Sequence, residues 1–363
     1  MRNDYVEKLI AALPGAGLDA VLIAPGEELA FLFGISPMMC ERFQGMFVKA
    51  DGEIFYICNL LYREQIAGGL PGTIPVYSWF DNDDMVTVVS GILKEHGLAG
   101  KTIGVNSSVP AFSMLAVGEA ADIRFRDAKL LFEEIRISKT PGEMQALRDS
   151  AALVDRVFTE IQCRIHPGAT EKELQEFLLA RMAELGGKSP ECIVAAGANA
   201  SYPHYNENQG IVREQDTVLM DYGCTVDGMY SDMTRTVFVG GATERQREYY
   251  ELVRRANEEA EQLCVEGAWI PDIDAKAREV LDEKGLAHTL INRLGHGVGY
   301  TIHEQPEIKQ SDRRKLGRGM AFSIEPGIYL AGDLGIRIED VVLINGDGQR
   351  EILNKSDKSL IIL

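Results

Sequence analysis

Two segments of the chain, Thr217 to Val239 and Ala321 to Ile344, hold acids in the middle of apolar, strongly β-forming sequence, and a fold has to accommodate them there. An isolated carboxylate in such a context is costly to bury. In the first segment Asp227-Gly228 is the strongest short hairpin signal a sequence offers. With those residues as the turn, Val226 pairs with Met229 and Gly223 with Asp232. Asp221 then shares a face with Asp232 as its diagonal neighbour, roughly 7 Å away at most. Two carboxylates so placed repel, and they do not ionise together in an apolar interior without a cation between them. A single hairpin of this kind has a plainer reading, one acid exposed and the other in a turn. The second segment weighs against it. Glu325 ends an apolar strand, a turn falls near Gly332-Asp333, and Glu339 stands on the return strand, so this pair is expected to repeat the first geometry. The likeness of the segments points to two related halves around one site.

Histidines add to the set. Gly295-His296-Gly297-Val298-Gly299 leads to His303-Glu304-Gln305-Pro306, and the alternate glycines allow close backbone approach. The spacing is neither a dinucleotide fingerprint nor a zincin motif. A glycine-flanked histidine is also an ordinary turn residue, so the residues alone leave both readings of His296 and His303 open. His204, between aromatic neighbours in Ser201-Tyr202-Pro203-His204-Tyr205, reads first as structural, as do His96, His166 and His288.

At 363 residues the chain is too long for one ordinary core, and about 150 residues per domain gives two domains. A hydrophobic fraction of 45% with 25% charged residues is that of a soluble globular protein. A net charge of -18 argues against nucleic acid and against anionic membranes as partners, because such binding needs clustered Lys and Arg. Met1 to Lys8 places charges where a signal peptide needs an apolar stretch, and nowhere do 18 apolar residues run together, so a cytoplasmic location is expected. The six cysteines lie far apart with no Cys-x-x-Cys pair, which favours reduced, mostly buried thiols.

The first third reads as an α/β layer, with strands at Asp19 to Ala24, Gly45 to Lys49, Ile54 to Cys58 and Thr102 to Val105 and an amphipathic helix from Asp84 to His96. A charged connector, Glu133 to Glu143, leads into a long helix that Thr140 or Ser138 can cap and in which Pro141 suits the first turn. The domains are therefore expected at 1–132 and 133–363. Further helices are expected from Thr170 to Leu185, with a capping box at Thr170 and Glu173, and from about Thr243 to Val265.

The ordered motifs Asp221-Tyr222-Gly223, Ser231-Asp232-Met233-Thr234-Arg235-Thr236, Gly295-His296-Gly297-Val298-Gly299, His303-Glu304-Gln305-Pro306, Glu325-Pro326-Gly327 and Arg337-Ile338-Glu339-Asp340 resemble those of the pita-bread metallopeptidases, specifically the prolidase and aminopeptidase P branch. The connector Arg136 to Glu143 is similar to that family's linker, and the first third to its creatinase-like domain. The resemblance implies an α+β architecture: a pita-bread catalytic domain with pseudo-two-fold halves, preceded by an α/β N-terminal domain. It implies two divalent ions, with Asp221, Glu325 and His296 as terminal ligands and Asp232 and Glu339 bridging. Such a hard, oxygen-rich set suits Mn2+ or Co2+ better than Zn2+. Ions about 3.5 to 4 Å apart lower the pKa of a bridging water, polarise the scissile carbonyl and stabilise the oxyanion. By the same resemblance Glu325 takes a proton from the attacking water, His204 and His303 hydrogen-bond the substrate and its tetrahedral centre, and Arg337 orients ligand carboxylates. The implied activity is hydrolysis of the Xaa-Pro bond of dipeptides or short peptides by a homodimer whose N-terminal domain helps close the partner's site.

One position departs from the pattern. Members specific for proline often carry a histidine four residues before the metal-binding histidine, lining the proline pocket, and here that residue is Asn292. This keeps a second reading open, a metallohydrolase on the same scaffold taking a non-proline N-terminal residue or a small non-peptide amide. A third reading, an inactive peptide-binding protein, is disfavoured by retention of all five ligands with His204 and His303.

Overall fold

The alternating apolar runs of the first third close into one mixed sheet. In this computed structural model, which describes all 363 residues, the chain separates into units Met1–Arg136 and Ile137–Leu363. The first unit contains β1 (Ala20–Ile23), β2 (Gly45–Lys49), β3 (Ile54–Asn59), β4 (Val76–Trp79), β5 (Thr102–Val105) and β6 (Arg124–Asp127). They lie in the order β4-β3-β2-β1-β5-β6. Its helices are α1 (Asn3–Ala12), α2 (Glu27–Phe33), α3 (Arg63–Gly69), α4 (Met85–Glu95), α5 (Ala111–Ala121) and α6 (Lys129–Glu134). The four strands read from sequence are the interior ones. The edge strand β6, Arg-Phe-Arg-Asp, carries no apolar run, because an edge is half solvated and is kept polar; the other edge strand, β4, is Val-Tyr-Ser-Trp and packs Trp79 into the core.

The second unit begins with α7 (Pro141–Ile161), where Thr140, not Ser138, makes the cap: its hydroxyl accepts from the Glu143 N–H while the Glu143 carboxylate accepts from the Thr140 N–H. The Ser138 hydroxyl instead donates to the Arg318 carbonyl. α8 (Glu171–Glu184) and α9 (Glu244–Gln262) start with capping boxes at Thr170 and Thr243, and α10 (Ile270–Asp282) starts with Pro271 in its first turn. The strands are β7 (Lys188–Ala196), β8 (Thr217–Val226), β9 (Met229–Tyr230), β10 (Met233–Phe238), β11 (Gly295–Gly297), β12 (Glu304–Ile308), β13 (Ala321–Ile324), β14 (Gly327–Leu330), β15 (Leu334–Arg337), β16 (Asp340–Ile344) and β17 (Arg350–Ile352).

Each half of this unit layers helices on antiparallel strands. Val154, Phe158, Leu174 and Leu178 of α7 and α8 share a core with Val194, Val218 and Met220 of β7 and β8. Val253, Ala256, Ile273 and Ala277 of α9 and α10 share another with Phe322, Ile324, Ile336 and Val342. The strand faces turned away from these helices remain available for a site. No helix is long and apolar enough to cross a membrane.

Candidate metal centre

Strand register brings the four acids and the imidazole to one face. β8 and β10 pair with Asp221 opposite Thr234, and the turn at Asp227-Gly228 sets Val226 against Met229. The same register puts Gly223 opposite Asp232, so Asp221 and Asp232 share a face, because side chains alternate along a strand. Thr234 bridges on its other side to Glu339. In the second half, Ile324 pairs with Asp340 and Gly327 with Arg337. One register runs through both ladders, and Pro326, lacking an N–H, interrupts it where Glu325 faces Glu339. These glutamates are directly opposed, not diagonal as the sequence reading expected from the aspartates. Three residues, 331–333, turn this hairpin where two turn the first, which shifts the pairing parity.

His296 joins through β11. Gly297 pairs with Phe322, so His296 stands opposite Ser323, and its N–H donates to Ser323 Oγ at 3.1 Å. Ser323 precedes Glu325 by two residues and therefore shares its face. Gly295 is required here, since a Cβ would lie 1.9 Å from the Ser323 carbonyl oxygen.

The side chains converge as the register dictates. His296 Nε2 is 3.3 Å from Glu325 Oε1 and 3.6 Å from Asp232 Oδ2. The ligating atoms of Asp232, His296 and Glu339 all lie within 4.8 Å of one another. Arg337, 2% exposed, donates from Nη2 to Asp221 Oδ2 at 2.5 Å, from Nε to Thr234 Oγ1 at 2.9 Å and from Nη1 to the Tyr329 hydroxyl at 2.8 Å. Thr234 Oγ1 in turn donates to Glu339 Oε2 at 2.6 Å. Glu325 Oε2 accepts from Asn292 Nδ2 at 3.4 Å.

Burial, then the neighbouring acids, pushes the carboxyls of Asp232 and Glu339 well above the usual carboxylate range. Burial pushes Glu325 up to about 7 against the pull of Arg337. Burial also holds His296 well below the usual histidine range, which keeps the neutral imidazole that a metal requires. All five line a cavity of about 640 Å³, within the roughly 300–1,000 Å³ of small-ligand sites. His204, His303, Arg337 and Asn292 line it too, and His303 meets the His296 ring edge-on at 4.3 Å between centroids.

The profile of metallopeptidase family M24 matches residues 145–346, and that of the creatinase/prolidase N-terminal domain matches residues 6–138. The chain belongs to metallopeptidase family M24. It is 33% identical to a probable dipeptidase, PepE, of Mycobacterium tuberculosis over 97% of this chain and 94% of that protein. It is 29% identical to the Xaa-Pro dipeptidase of Pyrococcus horikoshii over 99% of each. Among solved structures, the prolidase from Thermococcus sibiricus superposes with a TM-score of 0.91 at 31% identity, covering 99% of this chain and 98% of that one. This M24 protein is thus a peptidase with a creatinase-type N-terminal domain and a pita-bread catalytic domain, and the family implies divalent metal cofactors.

The residues present fit such a cofactor. Four carboxylates and one neutral imidazole converge, and Arg337, the cation in contact with them, is committed to Asp221; divalent cations relieve the repulsion among the remaining acids. His204, read first as structural, lies on the cavity wall. Histidines 96, 166 and 288 stay away from the cavity: His96 stacks on Phe55, and His166 and His288 bond to backbone carbonyls. The six cysteines are free.

Sequence reasoning missed Thr234, which links Arg337 to Glu339, although its place two residues after Asp232 already put it on the same face. It also missed the rim, where Arg293 Nη1 donates to Glu307 Oε1 at 2.9 Å and Lys309 pairs with the same carboxylate. Glu307 faces the cavity because it stands opposite His296.

Proposed function

We propose that this M24 peptidase is a cytoplasmic, homodimeric exopeptidase that hydrolyses the Xaa-Pro bond of dipeptides or short peptides with two divalent ions, Mn2+ or Co2+ in preference to Zn2+. The observation that carries this reading is the convergence of Asp221, Asp232, His296, Glu325 and Glu339 on one face of a peptide-sized cavity flanked by His204 and His303. Relatives of full length named Xaa-Pro dipeptidase support the substrate, and family resemblance supports the dimer. Asp221, Asp232, His296, Glu325 and Glu339 would hold the ions. The ions, when bound, supply Lewis acidity and an acidified water.

The chain's own residues do the rest. Glu325, on the cavity wall beside His296, is placed to take a proton and return it to the departing amine. His204 and His303 donate to the substrate carbonyl and to the oxygen that gains charge from it. Arg337 fixes the orientation of Asp221 and, through Thr234, of Glu339.

Asn292 favours a second reading, a dipeptidase or small-amide hydrolase without a strict proline requirement. Its amide donates to Glu325, and the wall there lacks the flat ring that the resemblance leads one to expect against a proline. Metal-stripped protein, with and without added Mn2+ or Co2+, should be assayed on Ala-Pro, Met-Pro, Ala-Ala and Ala-Pro-Ala. Metal-dependent cleavage confined to the proline substrates supports the first reading, cleavage of Ala-Ala the second, and cleavage of none rejects both as peptide readings.

A further inference from the structure

His303 stands in a segment, residues 298–303, that belongs to neither β11 nor β12. Buried charge holds it there. Lys139 Nζ donates to Glu304 Oε1 at 2.6 Å, and both side chains are 1% exposed. The other carboxylate oxygen, Oε2, lies 3.4 Å from the Thr301 N–H and 3.3 Å from its hydroxyl. That hydroxyl donates to the His303 carbonyl oxygen at 3.0 Å. The backbone makes room for the pair: a Cβ on Gly299 would lie 2.2 Å from Glu304 Oε1 and 2.8 Å from Lys139 Cε. None of the five ligands belongs to this chain of contacts, yet it ends at the residue whose ring packs on His296.

A buried ion pair is a poor source of stability, since desolvating both charges offsets their attraction, and its best-attested use is to fix one arrangement among several. Lys139 comes from the connector motif Ser138-Lys139-Thr140-Pro141, of which the helix cap uses only Thr140 and Pro141. We infer that Lys139, Glu304 and Thr301 are positioning residues for His303, holding its loop so that the imidazole keeps its place on the cavity wall. The inference rests on the reading of His303 as a substrate-facing group.

The test uses the full chain loaded with Mn2+ and three variants: Thr301→Val, which keeps the shape and the N–H but removes the hydroxyl; Lys139→Met/Glu304→Gln, which removes both charges together; and His303→Ala. Misplacing a catalytic group by about 1 Å costs up to about 100-fold, so the first two should each lower kcat by about 10- to 100-fold. KM and the affinity for Mn2+ should stay within about twofold, and neither variant should lower kcat further when combined with His303→Ala. Carbethoxylation of His303 by diethyl pyrocarbonate should quicken severalfold in both. Should the double variant fail to fold, Thr301→Val carries the test alone. Full kcat in Thr301→Val, a parallel loss of Mn2+ affinity, or an effect that multiplies with that of His303→Ala would overturn the inference. If His303→Ala itself keeps full kcat, the reading of His303 fails, and the carbethoxylation rate alone decides: unchanged, the positioning role is overturned; faster, it stands.

Discussion

Arg337 shows how much one side chain does in this site. Its planar fork reaches Asp221, Thr234 and Tyr329 at once while fully buried, a geometry that a lysine ammonium on a single stem cannot reproduce. Arg337→Lys is therefore expected to keep the charge and still weaken divalent-ion binding by about 10- to 100-fold, the usual effect of losing a partner that orients ligands. Calorimetric titration of stripped protein checks this, and native-like affinity in the variant would show that charge alone suffices. At this scale the sequence was informative about Asp221 and Asp232, because Asp227-Gly228 fixes the hairpin register by itself. Thr234 was equally within reach through the same alternation. Arg337's partners were not, since Asp221 lies 116 residues away and only the fold joins them.

At the scale of the elements, two hairpins of different turn length deliver the same chemistry. The first opposes Asp221 and Asp232 diagonally, the second sets Glu325 directly across from Glu339, and the Thr234 to Glu339 bridge aligns the two. Alternation along a strand can be read from sequence; the parity of a pairing depends on where the turn closes, and near Gly332-Asp333 no dipeptide as strong as Asp-Gly fixes it. β11 depends just as closely on its neighbours. Gly295→Ala would force a Cβ to 1.9 Å from the Ser323 carbonyl, so β11 must part from β13 and carry His296 with it. Loss of ion binding together with a lowered melting temperature is the expected outcome; an unchanged melting temperature would mean that the strands yield at little cost.

Across the whole molecule, the halves of the catalytic unit are tied by a second buried cluster. Arg235 pairs with Asp340, and Lys358 pairs with Asp340 and with Glu261 of α9. Nothing local in sequence announces this cluster, because its members are drawn from far apart along the chain. The acids of the candidate metal site contribute to the pH behaviour of the fold. A carboxyl raised by folding contributes stability that is fully present below its ordinary value and is lost as pH rises through its raised one. For Glu325 that window runs from 4.5 to about 7, and Asp232 and Glu339 shift in the same direction. Metal-stripped protein should therefore lose melting temperature as pH is raised across this window. Protein saturated with Mn2+ should not, because bound cations stabilise the deprotonated ligands. A stripped protein that gains melting temperature on that rise would show that these acids are not held protonated by burial.

The count of metal ions tests the centre most directly. Stripped protein reloaded with Mn2+ and freed of excess should hold two ions per chain by elemental analysis, and Asp232→Asn, which removes a carboxylate from the middle of the cluster but keeps its size, should hold at most one and hydrolyse no peptide. A native chain that takes up one ion or none, or an Asp232→Asn chain that loads and hydrolyses like the native, would contradict the account.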